Sequence, residues 1–306
     1  MLPPRIRRGK EVWHGTDEGR KAVKEARETA SSLHGSIFDL TDKIPSERTR
    51  PSPLEDSPLF VMAAGWRSGS TLLQRMIMAK RDTLIWGEPY DRSCIVQHMA
   101  ETIRPFSPGW PTSDFFIENK PQVDENQWVA NLYPPLQNWR EAHRRMLLAL
   151  FCEPAAERGY KQWGVKEVRW YIEHAEYLRW LFPGARFILT YRNPFDAYRS
   201  YKPWRRWFQR WPEEPVLTPH AFGRMWNRMV NDFIDNHHHI NGLLAPYEEL
   251  EGKARQISEH IGGKVAKPSE VQKKKGRDGQ NPPLTWTENK IIAMTTQGAR
   301  RKAGYS

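Results

Sequence analysis

The chain has 306 residues, 39% of them hydrophobic, and 47 Lys/Arg against 36 Asp/Glu leave a net charge of +11. That length bounds the architecture to one large domain with decorations, or at most two domains. No run approaches the roughly 20 apolar residues of a membrane span, no apolar segment follows the basic start, and Cys94 and Cys152 are too few for a secreted disulfide framework, so a soluble protein of a reducing, cytoplasmic compartment is expected.

Residues 1–56 read as a polar extension, with an amphipathic stretch at 18–33 and a Pro/Ser-rich linker at 44–58; residues 57–306 read as the main domain. The apolar run 59–64 predicts a buried strand. Gly65-Trp66-Arg67-Ser68-Gly69-Ser70-Thr71 follows as a tight loop, and the amphipathic stretch 72–79 predicts a helix. Such a junction aims backbone N–H groups and the positive end of a helix at one spot, which suits a phosphate. A nucleoside-triphosphate loop reads G-x-x-x-x-G-K-[ST]. Here Ser70 follows Gly69, and the cation is Arg67, two positions before that glycine.

Further along, Leu84-Ile85-Trp86 predicts a short strand that delivers Glu88 into a loop. Residues 106–135, rich in Pro, Trp, Asn and Asp, form an insert without clear period. A strand at 162–168 carries Lys166 near its carboxyl end, with Glu167 as the simplest partner for a structural ion pair. Residues 187–191 predict another strand, which Arg192-Asn193-Pro194 breaks; Pro194 then starts a helix through Asp196, Arg199 and Ser200. This alternation predicts a parallel sheet with helices on its faces, and ligand binding at the carboxyl ends of the strands would gather 65–71, Glu88, Lys166 and Arg192.

The Arg67-Ser68-Gly69-Ser70 loop resembles the 5′-phosphosulfate loop, [KR]-S-G-[ST], of sulfotransferases that use 3′-phosphoadenosine 5′-phosphosulfate (PAPS). Arg192 just past a strand, with Ser200 eight positions on, is similar to the pair by which that family grips the 3′-phosphate; a guanidinium fork matches phosphate oxygens and stays charged. The resemblance implies an α/β fold, a parallel sheet flanked by helices in a three-layer sandwich of the P-loop-containing nucleotide hydrolase kind. It also implies a PAPS site of Arg67, Ser68, Gly69, Ser70, Thr71, Leu72, Arg192 and Ser200. Tyr247, in a segment similar to the family's Tyr-Glu-[DQ]-Leu, would lie near the adenine.

Glu88 stands where the tyrosylprotein-type and some bacterial carbohydrate-type branches carry a general base, and Lys166 where the former neutralise charge on the transferring group, although Lys166-Glu167-Val168 departs from their Lys-[DT]-Pro. Transfer to an acceptor hydroxyl would leave 3′-phosphoadenosine 5′-phosphate (PAP) and need no metal. Glycans, glycolipids and small metabolites are favoured acceptors over tyrosine peptides and phenols, with the insert 106–135 as a candidate acceptor loop. Trp204, Trp207 and Trp211, interleaved with Arg205, Arg206 and Arg210, read either as an exposed stacking platform or as a core helix with arginines reaching outward. His98 and the run His237-His238-His239 do not match the family's alternative His base.

Residues 251–306 hold twelve Lys/Arg against five acids, including the KKKGRDGQ loop at 273–280. A polyanionic cofactor accounts for that charge without invoking nucleic acid. Two other classes of function remain: a P-loop kinase, which would need a lysine beside the loop Ser/Thr and an acidic Mg²⁺ ligand, and a non-catalytic nucleotide- or nucleic-acid-binding protein.

Overall fold

In the computed structural model, residues 53–79, 81–90, 93–106, 110–119, 129–204, 216–271 and 281–305 are described. The stretch 18–33, the residues Arg205, Arg206, Trp207, Arg210 and Trp211, and the loop 273–280 lie outside them. The chain divides into two compact units, residues 1–46 with 100–137, and residues 47–99 with 138–306.

The larger unit is built on a five-stranded sheet of order β2-β3-β1-β4-β5, from β1 (Leu59–Ala63), β2 (Thr83–Trp86), β3 (Gln162–Glu167), β4 (Arg186–Thr190) and β5 (Gly242–Leu244). Every pairing is parallel. A parallel sheet needs helices to return the chain and cover both faces, so its central strands read as apolar runs; all of β1 is buried.

One face carries Leu59, Val61, Ile85 and Ile188, closed by Leu73, Met76 and Ile77 of α1 (Ser70–Met78) and by Ile257 and Ile261 of the helix Leu250–Ile261. The opposite face is aromatic: Phe60 stacks on Phe187 at 5.4 Å and meets Trp163 and Trp170 edge-on. Phe182, which ends α2 (Ile172–Leu181), packs edge-on against Trp163 at 5.6 Å. Each such fully buried ring or branched chain stabilises the fold by about 1.5–3 kcal/mol. The α/β sandwich is therefore as expected.

Next along the chain come α3 (Pro194–Tyr201), α4 (Pro219–Asn236) and α5 (Leu250–Ile261), then α6 (Trp286–Thr295) and α7 (Gln297–Lys302). Pro194 opens α3 behind an Asn193 cap whose side chain accepts from Phe195 N–H, and Thr218 caps α4 in the same way through Ala221 N–H. The run His237–Ile240 is a 3₁₀ turn that leads into β5.

The described part of the smaller unit has little regular structure. It consists of short 3₁₀ turns at Ser113–Phe115 and Ile117–Asn119, a single bridge between Phe116 and Tyr133, and a ring cluster in which Phe115 meets Trp110 and Tyr133 edge-on.

Candidate active site

The loop after β1 is welded to its neighbours by backbone bonds. Ala64 N–H donates to Thr190 O at the end of β4, and Gly65 N–H to Ala63 O and to Val168 O beyond β3. Ser68 Oγ then donates to Gly65 O at 2.6 Å, so its hydroxyl faces inward and closes the turn. Arg67 holds the left-handed conformation at φ 68°, uncommon for a residue with a side chain.

Gly69 sits at the N-cap of α1 with φ 92°, and any Cβ there would collide with the ring of Tyr247. Glycine is therefore required twice over, by the turn and by the close approach. Having no side chain, Gly69 offers α1 no side-chain cap; Leu72 N–H bonds to Gly69 O, and the N–H groups of Ser70 and Thr71 remain for an anion at this positive end. Thr71 is exposed there and Leu72 half-buried.

Two bridges tie this loop to the end of β4 and to α3. Arg67 Nε donates to Ser200 Oγ at 2.8 Å, across 133 residues of sequence, and the ring of Trp66 stacks on Tyr201 at 6.0 Å. Arg192 lays its guanidinium 4.4 Å from the ring centre of Tyr247, the same ring that covers Gly69. Its Nε is buried and, among the described residues, without a hydrogen-bond partner. An unspent cationic donor beside an open helix end fits a phosphate or sulfate oxygen. Arg67, Gly69, Ser70, Arg192, Ser200 and Tyr247 thus form one connected surface.

Glu88 and Lys166 meet on the β2–β3 side. Lys166 Nζ donates to Glu88 Oε1 at 2.5 Å, with the lysine side chain 7% exposed and the glutamate 24%. The structural alternative, an ion pair of Lys166 with Glu167, does not form. Successive strand residues point to opposite faces, and Lys166 shares the face of its register partner Val61. Glu167, in register with Met62, points the other way. There it accepts from Arg169 Nε at 3.1 Å and from Val168 N–H at 2.8 Å, both its side chain and that of Arg169 being only 1% exposed. Burial pushes the Glu167 carboxyl upward against the opposing pull of Arg169.

Glu167 is an acid at the end of a strand, the place where a kinase would carry a Mg²⁺ ligand. That acid is engaged by Arg169 and the backbone rather than turned toward a metal. Among the described residues, no three His, Cys, Asp or Glu side chains come together as a metal site.

Among known protein families, residues 58–262 match the sulfotransferase family. The chain belongs to that family. Solved structures similar to this sulfotransferase include the sulfotransferase domain from the Synechococcus PCC 7002 olefin synthase, at 14% identity and TM-score 0.46, covering 86% of this chain and 99% of that one. The domain from the curacin biosynthetic pathway follows at 12% identity and TM-score 0.45, covering 84% and 99%, and the Alicyclobacillus acidocaldarius sulfotransferase at 14% and 0.43, covering 80% and 93%. No curated protein matches the chain.

The roles of several residues around the candidate site were not read from the sequence. Trp226 of α4 donates its indole N–H to Arg192 O at 2.9 Å, Glu248 accepts Asn193 N–H at 2.9 Å, and Tyr305 O–H donates to Glu248 at 2.6 Å. Glu248 could have been suspected from its place beside Tyr247. Nothing in the sequence singles out Trp226 within an amphipathic helix.

Proposed function

We propose that this sulfotransferase moves the sulfuryl group of PAPS to an acceptor hydroxyl, with Glu88 as general base. The observation that carries the reading is the Arg67–Ser200 bond, which joins a 5′-phosphosulfate loop to the helix expected at a 3′-phosphate. A ligand with phosphate at both ends of an adenosine suits that joint surface.

PAPS, consumed as a substrate, supplies an activated sulfuryl group. The acceptor oxygen forms a bond to sulfur while the bond from sulfur to the 5′-phosphate oxygen breaks. The electron pair stays on that oxygen, giving PAP, and the acceptor proton passes to Glu88. Transfer of this kind has a loose transition state, so positioning and charge neutralisation dominate.

Arg67 and the N–H groups at the start of α1 neutralise the leaving phosphate. Arg192 and Ser200 hold the 3′-phosphate, while the ring of Tyr247 contributes a flat face for the adenine. Lys166 orients the Glu88 carboxylate through their ion pair and adds positive charge beside the transferring group.

The acceptor is a hydroxyl-bearing small molecule or glycan, and the insert 106–135 is its candidate contact. Several cations of the basic C-terminal segment are spent on acids, Lys253 on Glu249, Arg255 on Glu259 and Lys302 on Asp235, which favours the cofactor account of the charge over a nucleic-acid surface. Among the described residues no helix is long and apolar enough to cross a membrane. Neither Cys94 nor Cys152 is in a disulfide, and a cytoplasmic protein is the proposal.

The test is transfer of ³⁵S from labelled PAPS to a panel of glycans, small alcohols, tyrosine peptides and phenols, with and without a chelator. A parallel reaction uses ³²P-labelled ATP and Mg²⁺. Metal-independent ³⁵S transfer is expected. Mg²⁺-dependent ³²P transfer, with none from PAPS, would install the kinase reading instead.

A further inference from the structure

The chain around Arg192 is held from outside at consecutive residues. Tyr191 O accepts from Tyr247 N–H at 2.8 Å, Arg192 O from the Trp226 indole at 2.9 Å, and Asn193 N–H donates to Glu248 Oε1 at 2.9 Å. The last of these is secured from the far end of the sequence. Glu248 Oε2 accepts from Tyr305 O–H at 2.6 Å, and the Tyr305 ring packs edge-on against Tyr191 at 6.3 Å and tilted against Trp226 at 6.4 Å. Tyr305 thus touches or shares a partner with each of the groups that fix this turn.

The segment that brings Tyr305 there is itself anchored. Lys302 pairs with Asp235 of α4 at 2.6 Å, Arg300 lies over Phe195 of α3 at 5.3 Å, and Gly304 turns the chain back at φ 74°. Glu248 has one oxygen on Asn193 N–H and the other on the tyrosine hydroxyl. With both oxygens engaged, its carboxylate is held as a strut.

We infer that Glu248 and Tyr305 are positioning residues for Arg192, and that the C-terminal segment through Tyr305 sets the preference for a nucleotide bearing a 3′-phosphate. This rests on the proposed reading of Arg192 as a 3′-phosphate ligand. The guanidinium reaches the phosphate only from the place its backbone gives it. A cationic fork loses affinity steeply when displaced by a fraction of an ångström.

The test compares the affinity for PAP with that for 5′-AMP in the full chain, for wild type, Tyr305→Phe, Glu248→Ala and Glu248→Gln. Tyr305→Phe keeps the ring and removes only the hydroxyl. PAP affinity is expected to fall about tenfold, the lower end for loss of an outer support of a binding group, with 5′-AMP affinity unchanged. Glu248→Ala should fall further, and Glu248→Gln, which can still accept from Asn193 N–H, should recover part of the loss.

Equal losses for PAP and 5′-AMP would mean general loosening of the fold and would overturn the inference, as would unaltered PAP affinity in Tyr305→Phe and Glu248→Ala. Wild type that binds PAP no better than 5′-AMP would instead overturn the proposed function, and the inference with it.

Discussion

The two sides of the sheet deliver their functional side chains by different means. At the end of β4, Arg192 sits in a turn fixed by the Tyr247 amide, the Trp226 indole and the Glu248 carboxylate, and Arg67 is bonded to Ser200. At the ends of β2 and β3, the reactive candidates are held to each other by one ion pair, Glu88–Lys166. On the proposed reading, the first side is the braced cradle for a ligand with fixed charges. The second leaves a carboxylate partly open, as a base must be to reach an acceptor of variable shape. A tightly braced side and a lightly braced one suit a shared donor and a variable acceptor.

The largest expected effect falls on the lightly braced side. Glu88→Gln should lower sulfuryl transfer about 10²- to 10⁴-fold, the usual worth of a general base, while leaving PAP affinity unchanged. Arg192→Ala, read by titration with PAP, should weaken binding roughly 10- to 100-fold, the value of charge-assisted hydrogen bonds of about 1.5–3 kcal/mol. Gly69→Ala places a side chain at φ 92° and against the Tyr247 ring. A loss of about 1–3 kcal/mol, seen as a drop of several degrees in Tm together with weaker PAP binding, is expected.

The smallest effect concerns the back of β4, where His260 Nε2 donates to Phe187 O at 3.0 Å. Burial holds the His260 pKa below its usual value of 6.5. The unfolded chain therefore takes up a proton first, so this contribution is full above pH 6.5 and fades as pH falls toward the lowered value. Tm should decline between pH 7 and 5 with a shallower slope in His260→Gln; a steeper slope in the variant would contradict the assignment.

Much of the cradle was legible because its signals are local. The buried run of β1, the glycines of the loop and the Pro194 helix start each reflect a constraint a few residues long. Glu88 and Lys166 were also visible singly, but not as a pair. Strand alternation alone sends Lys166 and Glu167 to opposite faces, so the alternative pair of these two could have been set aside from the sequence. The struts were visible at most as residues, Glu248 in the Tyr-Glu-[DQ]-Leu-like segment, and not in their role. Trp226, Glu248 and Tyr305 act across 34, 55 and 57 residues, and each sits in a segment that local pattern explains without them. The three-residue β5 is likewise too short to announce itself and exists through its pairing with β4.

The most direct measurement is a calorimetric titration of PAP into wild type, Glu88→Gln and Arg192→Ala side by side. The account predicts equal, tight binding to wild type and Glu88→Gln, and much weaker binding to Arg192→Ala. Loss of PAP binding in Glu88→Gln, with Arg192→Ala unaffected, would contradict the division of labour between the two sides.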